Sequence, residues 1–491
     1  MAKTAKNAKR NAIATRKLRR NLAAISLLAL IFKFFIILRI EGFNWLQAGN
    51  GDLGNGLGLI LDNNYAPPNA WYGADAENYL RGLQGLVQDG FFSEEGKLSY
   101  WPAGYPLLMW PIIEIFRSYF FFALAFLQSA LYALGSIWFV DEIRKTRIAK
   151  HSYLIAILLA FNPTLSLNTV SIGYELPVVA LSLISTAALL RFFNARRSSL
   201  ISIELLVSSI AFAIATFMQP RLLVLAFAFF FLWALAKFRV KLVVPFMAFS
   251  MGLVSLAPAL MIYRNQEVHG YAAISTNLGV TMRLGAGPET SGGYSSQARG
   301  LVDCPETEGN PAEADNAIVS CVIKWYVNNP ATAAKLFWNK ARFFWSPWFG
   351  PEANGTMARN PWRQNHPLVS TAQTQEGFDF IFGGVGKFIS WAWMLATLFL
   401  LLNGFRYLWR LGDLERLLGI MAGSSFALNL FSSMLTIGDH RFRIPSMGMS
   451  LLLQGIGLIA IFSKRESKSI ATEPLAEWTS LQRNKTTQTN S

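Results

Sequence analysis

Residues 71–106 read WYGADAENYLRGLQGLVQDGFFSEEGKLSYWPAGYP, and the rest of the chain can be placed around this segment. From Ala76 to Val87 the apolar residues recur at steps of three and four, which predicts an amphipathic helix over residues 76–89. Asp75 stands at the N-cap position and Gly90 at the helix stop. About 14 residues at ~1.5 Å each are too short to cross a ~30 Å hydrocarbon core. We therefore expect this helix to lie flat on a membrane surface.

Asp75 at the head of this helix has two interpretations. A carboxylate at this position caps the first turn by accepting hydrogen bonds from backbone N–H groups. It would also stand at the lipid–water boundary, where the headgroup of a lipid substrate would meet it. The residues alone leave both interpretations open.

The composition indicates a polytopic membrane protein. The chain has 491 residues, of which 53% are hydrophobic and 15% charged, and its mean hydropathy is +0.32. Several apolar runs approach or reach the ~18–20 residues that a membrane-spanning helix needs. The net charge of +15 fits cytoplasmic loops rich in Lys and Arg, so we do not interpret it as nucleic-acid binding.

The hydropathy pattern predicts an all-α fold with about ten transmembrane helices. Residues 1–21 form a basic cytoplasmic arm, and residues 22–262 hold spans one to seven, with a first outer loop at 41–119. Residues 263–377 form a small extracytoplasmic loop domain, 378–462 hold spans eight to ten, and 463–491 form a disordered cytoplasmic tail. Both termini are then cytoplasmic, since Lys and Arg collect in the segments placed inside. The expected spans are 22–40, 119–140, 152–167, 171–190, 201–218, 222–236, 242–263, 380–402, 414–435 and 445–462.

Four arginines lie at the expected outer membrane boundary, where the positive-inside bias does not favour cations. Arg221 ends a hairpin with almost no loop, Arg264 follows span seven, and Arg441 and Arg443 fill the last outer turn. A guanidinium binds phosphate through bidentate, charge-assisted hydrogen bonds, so the cluster suggests a phosphate site. Pairing with outer carboxylates or with anionic lipid explains the same residues.

The cysteines and histidines leave two questions open. Cys304 and Cys321 both lie in the large outer loop, where a disulfide is chemically allowed and two unpaired thiols are the alternative. His269, His366 and His440 are too scattered in the sequence to form a metal-ligand signature. A divalent metal is therefore unsupported, its ligands are unknown, and no cofactor is indicated.

Three groups of residues in order resemble a known superfamily. They are Asp75-Ala76-Glu77-Asn78-Tyr79 with Pro102-Ala103-Gly104-Tyr105-Pro106; Arg264-Asn265 with residues 274–279 and Gly285; and Arg441-Phe442-Arg443-Ile444-Pro445. With these motifs the chain resembles the GT-C membrane glycosyltransferases, especially the dolichyl-phosphate-mannose–protein mannosyltransferases and the bacterial aminoarabinose transferases. The resemblance covers about residues 22–462. Ala76 separates the two acids, which leaves any metal requirement open.

The resemblance implies a polyprenyl-phosphate-linked monosaccharide as donor and a lipid, glycan or protein as acceptor. Transfer would take place on the extracytoplasmic face of a membrane, for which we expect the bacterial plasma membrane. Asp75 would be the catalytic base, and Arg221, Arg264, Arg441 and Arg443 would hold the donor phosphate. Further candidate substrate contacts are Glu77, Tyr79, Tyr105, Asn277 and His440.

Two other classes of protein fit parts of the pattern. A transporter or flippase of a lipid or lipid-linked sugar also explains the spans and the arginines, but it predicts ionisable groups at mid-bilayer and internal symmetry. Only Lys33 and Lys387 suggest ionisable groups at mid-bilayer. A non-catalytic scaffold leaves the amphipathic helix with its acidic head unexplained.

Overall fold

A computed structural model describes residues 20–31, 76–117, 120–169, 172–194, 202–238, 240–293, 300–304, 309–347, 352, 376–377 and 383–462. The described residues are almost entirely helical and contain no named strand, in agreement with the expected all-α fold. Asp75 and the first outer loop before it lie outside the described residues, as do the basic arm to residue 19 and the tail from residue 463.

The first half of the described chain forms eleven of the helices that we number here. They are α1 (Arg20–Ile31), α2 (Ala76–Asp89), α3 (Lys97–Tyr100), α4 (Gly104–Phe116), α5 (Phe120–Ile143), α6 (Ser152–Phe161), α7 (Pro163–Asn168), α8 (Glu175–Asn194), α9 (Ile203–Met218), α10 (Leu222–Lys237) and α11 (Val240–His269).

The second half carries six numbered helices and one short 3₁₀ helix. They are α12 (Leu278–Leu284), α13 (Pro311–Asn328), α14 (Pro330–Trp345), α15 (Gly384–Leu411), α16 (Asp413–Leu435), the 3₁₀ helix His440–Ser446 and α17 (Met447–Phe462). We call the 3₁₀ helix the arginine segment. Of the loop domain expected at residues 263–377, the structure describes α12 to α14 and most residues between 270 and 347.

Within the described residues, six helical stretches are long and apolar enough to cross a membrane. They are α5, α8, 241–269 in α11, α15, α16 and 440–461, which joins the arginine segment to α17. The other four expected spans coincide with shorter apolar helices, so the number of ten crossings stays a prediction. Span seven was predicted to end at residue 263, but its helix continues to His269 and includes Arg264.

Helix α2 has the predicted limits but not the predicted surroundings. Gly90 follows it with φ 77°, which a glycine adopts without steric cost. The apolar face that we expected to contact lipid is instead buried in the protein, where it packs mainly on α4; its buried members are Ala76, Tyr79, Leu80, Leu83 and Leu86. This part of the prediction was wrong, because amphipathic spacing identifies an apolar face and not what covers it.

Two glycines allow α15 and α17 to pack backbone against backbone. A Cβ at Gly404 would lie 1.8 Å from the Leu453 oxygen, and a Cβ at Gly457 would lie 1.9 Å from the Leu400 oxygen. No larger residue fits without moving a helix, because both obstacles are backbone atoms. Small residues at such contacts are typical of helix pairs in membranes.

The described part of the loop domain contains α12, α13 and α14 and a disulfide. Cys304 and Cys321 are joined, which settles the pairing that the sequence left open. A small apolar cluster around Met282, Val322 and Leu336 lies between its helices. Gly438 donates its N–H to the Gly292 oxygen at 2.8 Å, so the domain contacts the chain directly before the arginine segment.

Candidate functional site

The aromatic side chain of Tyr79 connects α2 with the start of α8. Its ring makes T-shaped contacts with Tyr105, with ring centroids 5.2 Å apart, and with Tyr174, with centroids 6.2 Å apart. Tyr174 directly precedes α8, whose first residue is Glu175. Asp75 lies one residue before α2; Asp75 itself and the side chain of Glu77 are outside the described residues. The head of α2 is therefore held beside the N-terminal end of α8.

A buried ion pair connects the same end of α8 with the arginine segment. The Arg441 guanidinium donates through Nε to the Glu175 carboxylate, and both residues are buried. Asp439 orders the backbone of the segment by accepting a hydrogen bond from the Arg441 N–H at 2.8 Å. The segment is thus fixed to α8 by charge and at its own N-terminus by a cap.

Arg221 belongs to the same cluster. Its Nη1 donates to the Ser432 hydroxyl at 2.6 Å, and its guanidinium lies 5.2 Å from the centroid of the Phe442 ring. Burial holds the pKa of Arg221 below its usual range; the Arg441 charge lowers it further, whereas Tyr174 and Glu175 oppose the shift. The structure therefore brings together two of the four predicted arginines.

Arg443 occupies a different environment in the same segment. Its guanidinium lies against two neighbouring indole rings, 5.1 Å from the Trp345 centroid and 5.2 Å from the Trp393 centroid, and those two ring centroids are 6.3 Å apart. Only 4% of the residue is exposed, and Nη1 donates to the Ser346 oxygen at 3.1 Å. Its other N–H groups have no hydrogen-bond partner among the described residues. A rigid, buried cation with uncommitted donors can bind an anion.

Arg264 contacts other parts of the chain. It is fully buried in α11, and its Nε donates to the Phe91 oxygen at 2.8 Å and Nη2 to the Ser93 oxygen. Nη1 donates to the side chain of Asn265, which in turn donates to the Ala273 oxygen at 2.7 Å. These contacts fix the turn after α2 and the start of the loop domain.

The remaining candidate residues have identifiable structural positions. Tyr105 is buried, and its hydroxyl donates to the Gln128 side chain at 3.2 Å. Asn277 stands at the N-cap of α12 without a capping hydrogen bond from its side chain. His440 is buried, with Nδ1 3.3 Å from the Asp439 carboxylate.

The residues that contact the arginines carry little local signal in the sequence. Glu175 stands within the expected span 171–190, and no sequence pattern points to Tyr174, Trp345, Trp393 or Ser432. A carboxylate at the head of a long apolar helix was the available signal, because such a charge in a membrane protein requires a partner.

The described residues contain no group of three or more His, Cys, Asp or Glu side chains that could hold a metal ion. Since Asp75 and the side chain of Glu77 are not among them, the metal requirement stays open. The cluster that the structure does assemble is one of arginines, aromatic rings and the carboxylates of Glu175 and Asp439.

Comparison with known proteins shows a distant structural likeness. No protein-family model and no curated protein matches the chain. Among solved structures, the chain is similar to the archaeal oligosaccharyltransferase AglB from Archaeoglobus fulgidus, determined in complex with an inhibitory peptide and a dolichol-phosphate. The identity is 12% and the TM-score 0.39; the match covers 91% of this chain and 52% of that one. The chain thus spans about half the length of that protein.

Proposed function

We propose that this chain is an integral-membrane glycosyltransferase that transfers a monosaccharide from a polyprenyl-phosphate donor to a lipid, glycan or protein acceptor. Transfer takes place on the extracytoplasmic face of the membrane, which we take to be a bacterial plasma membrane with both termini on the cytoplasmic side. No nucleic acid takes part.

One observation carries the proposal: two distant motifs of the resemblance meet at the start of α8. Tyr79 of the first motif packs on Tyr174, and Arg441 of the third motif pairs with Glu175. Asp75 precedes Tyr79 by four residues in the sequence, and Tyr174 and Glu175 lie beside Arg221 and Arg441. An acid–base group and a phosphate site must be neighbours for glycosyl transfer.

The proposed reaction needs a base and a stabilised leaving group. An acceptor hydroxyl or amine attacks the anomeric carbon of the sugar, and the bond from that carbon to the phosphate oxygen breaks. Asp75 takes the acceptor proton as general base. The departing polyprenyl phosphate carries the electron pair away, and arginines stabilise its growing negative charge.

The charges of the cluster suit an anion. The charges of Arg221 and Arg441 are matched in number by those of Glu175 and Asp439, and Arg443 adds one further positive charge to the arginine segment. Among the described residues, only the Ser346 oxygen accepts a hydrogen bond from Arg443, so Arg443 is the strongest candidate for direct phosphate contact. We propose a positioning role for Arg264, because three of its N–H groups already bind protein oxygens.

A transfer assay with purified protein tests the proposal. The protein is reconstituted in vesicles with a panel of polyprenyl-phosphate sugars and candidate acceptors, and released polyprenyl phosphate and glycosylated acceptor are both measured. Equal amounts of the two products support a transferase. Movement of the intact donor across the membrane, without release of phosphate, would favour the transporter instead.

The structure offers one observation on the transporter alternative. Lys387 lies in the first turn of α15 and is exposed, at a helix end and away from mid-bilayer. Lys33, the other ionisable group that suggested transport, lies outside the described residues.

The side of the reaction can be tested separately. A Ser295→Cys variant in the loop domain should react with a membrane-impermeant thiol reagent added to intact cells, because both natural cysteines are paired. Reaction only after the membrane is opened would overturn the orientation and the proposed side of transfer together.

A further inference from the structure

The C-terminal end of α14 lies deep beside two helices that are long enough to cross the membrane. The Trp345 indole donates through Nε1 to the Met394 oxygen of α15 at 2.9 Å, and its ring lies 5.2 Å from that of Phe426 in α16. At ~1.5 Å per residue, Met394 is about 15 Å from the Gly384 end of α15, and Phe426 about 14 Å from the Leu435 end of α16. Measured from the nearer ends of α15 and α16, Trp345 therefore lies at about the same depth along both helices.

Helix α14 also has a point of contact level with the ends of those helices. A Cβ at Gly438, three residues after α16, would lie 2.6 Å from the Lys340 Cα. Five residues separate Lys340 from Trp345, so α14 descends along α16 from the level of Gly438. Trp338 lies two residues before Lys340, on the side of α14 away from Trp345.

Exposed apolar side chains mark where the lipid begins. Phe388 is 74% exposed in the second turn of α15, and Leu435 is 52% exposed at the end of α16. On helices that cross a bilayer such side chains face hydrocarbon. Because Lys340 packs near the Leu435 end, Trp338 lies at about the level where the hydrocarbon ends and the headgroups begin.

The exposed face of α14 carries side chains that are favourable in the lipid headgroup layer. Trp338 is 67% exposed, and Lys335, one turn earlier on the same face, is exposed as well. An indole is favourable at headgroup level, where its apolar ring and its N–H are both accommodated, and a Lys there meets lipid phosphate.

We propose that α14 is anchored in the membrane, with Trp338 and Lys335 seated in the headgroup layer and the end at Trp345 within the bilayer. The partner of this face is the lipid surface itself. The loop domain is then held at a fixed height above the arginine segment. The inference uses only the crossing of the membrane by α15 and α16, and it is independent of the proposed reaction.

Spin labels on single cysteines test this placement. Cys304 and Cys321 are the only two cysteines in the chain and they pair, so an added cysteine is labelled selectively. Labels are placed in Trp338→Cys, in Ser320→Cys on the exposed face of α13, and in Phe388→Cys as a lipid reference. Collision with oxygen and with a water-soluble nickel chelate is measured in vesicles of phosphatidylcholine and phosphatidylglycerol.

We expect the oxygen-to-nickel collision ratio at position 338 to be several-fold above that at position 320 and below that at position 388. Equal ratios at positions 338 and 320 would overturn the proposal. Should Trp338→Cys fold poorly, Ala334→Cys on the same exposed face replaces it, with the same expectation.

Discussion

Glu175 and Arg441 form a buried ion pair although 266 positions separate them in the sequence. The pair joins the first residue of α8 to the arginine segment and holds Arg221 and the head of α2 near one another. The ion pair fixes the positions of the side chains in the cluster, so its removal should lower both the stability of the protein and its affinity for donor.

Arg441→Ala should lower the free energy of unfolding by about 3–5 kcal/mol, because it removes the guanidinium that is hydrogen-bonded to the buried Glu175 carboxylate. The double variant Glu175→Gln/Arg441→Gln removes both charges and should lose less. Chemical unfolding in detergent measures both. An Arg441→Ala protein as stable as the parent would show that Glu175 does not depend on this pair.

Arg443→Lys should already weaken binding of a polyprenyl-phosphate sugar, since a Lys has no planar group to stack on Trp345 and Trp393 or to offer as a fork to phosphate. Arg416→Lys is the matched control, because Arg416 also stacks on a tryptophan, 5.4 Å from the Trp409 centroid, near the end of α16 away from the site. Donor titration of both variants compares them. Equal loss in both, or none in Arg443→Lys, would place the phosphate elsewhere.

Gly457→Ala should destabilise the bundle by about 1–3 kcal/mol, because the added methyl group meets the Leu400 oxygen of α15 and a helix must shift. Gly252→Ala in α11 is the control, since a Cβ there meets nothing within 4 Å. Thermal unfolding in detergent should separate the two. Equal stability of the two variants would contradict the close packing of α15 and α17.

Stability should rise with pH between about 7 and about 10 because of Lys340. Burial lowers the pKa of this amine to about 7 in the folded protein, whereas an unfolded Lys titrates near ~10.4. In that window the unfolded state binds a proton that the folded state lacks, so the free energy of unfolding increases with pH. Above ~10 the gain reverses, because burial raises the pKa of Tyr326, whose hydroxyl is 2.7 Å from the Lys340 amine.

The test is the pH dependence of unfolding in Lys340→Met, which should lack the rise above pH ~7. Lys335→Met on the exposed face of α14 is the control and should keep it. Parallel curves for the parent and Lys340→Met would contradict the assignment.

Local patterns in the sequence predicted the helices well. The apolar steps of three and four predicted the limits of α2, and Gly90 marked its C-terminal end. The apolar runs predicted the positions of the longer helices. What covers each helix was not predictable, because spacing defines a face without naming its neighbour. The apolar face of α2 is therefore buried in protein, and Arg264 binds backbone oxygens after α2.

The candidate site was predictable only in part, for a related reason. The arginines stood out because positive charge is unusual at that boundary. The carboxylate that pairs with Arg441 lies in another helix, and no local pattern connects the two. The same holds for the tryptophans around Arg443, which come from α14 and α15.

The most direct measurement of the central claim is the turnover of Asp75→Asn beside the parent protein in the coupled transfer assay. The parent should release polyprenyl phosphate in step with acceptor glycosylation. Asn caps a helix about as well as Asp, so the variant should fold and bind donor normally. It cannot accept a proton, so its turnover should fall by a factor of ~10²–10⁴. A well-folded Asp75→Asn protein with near-normal turnover would contradict the account and leave Asp75 as a helix cap.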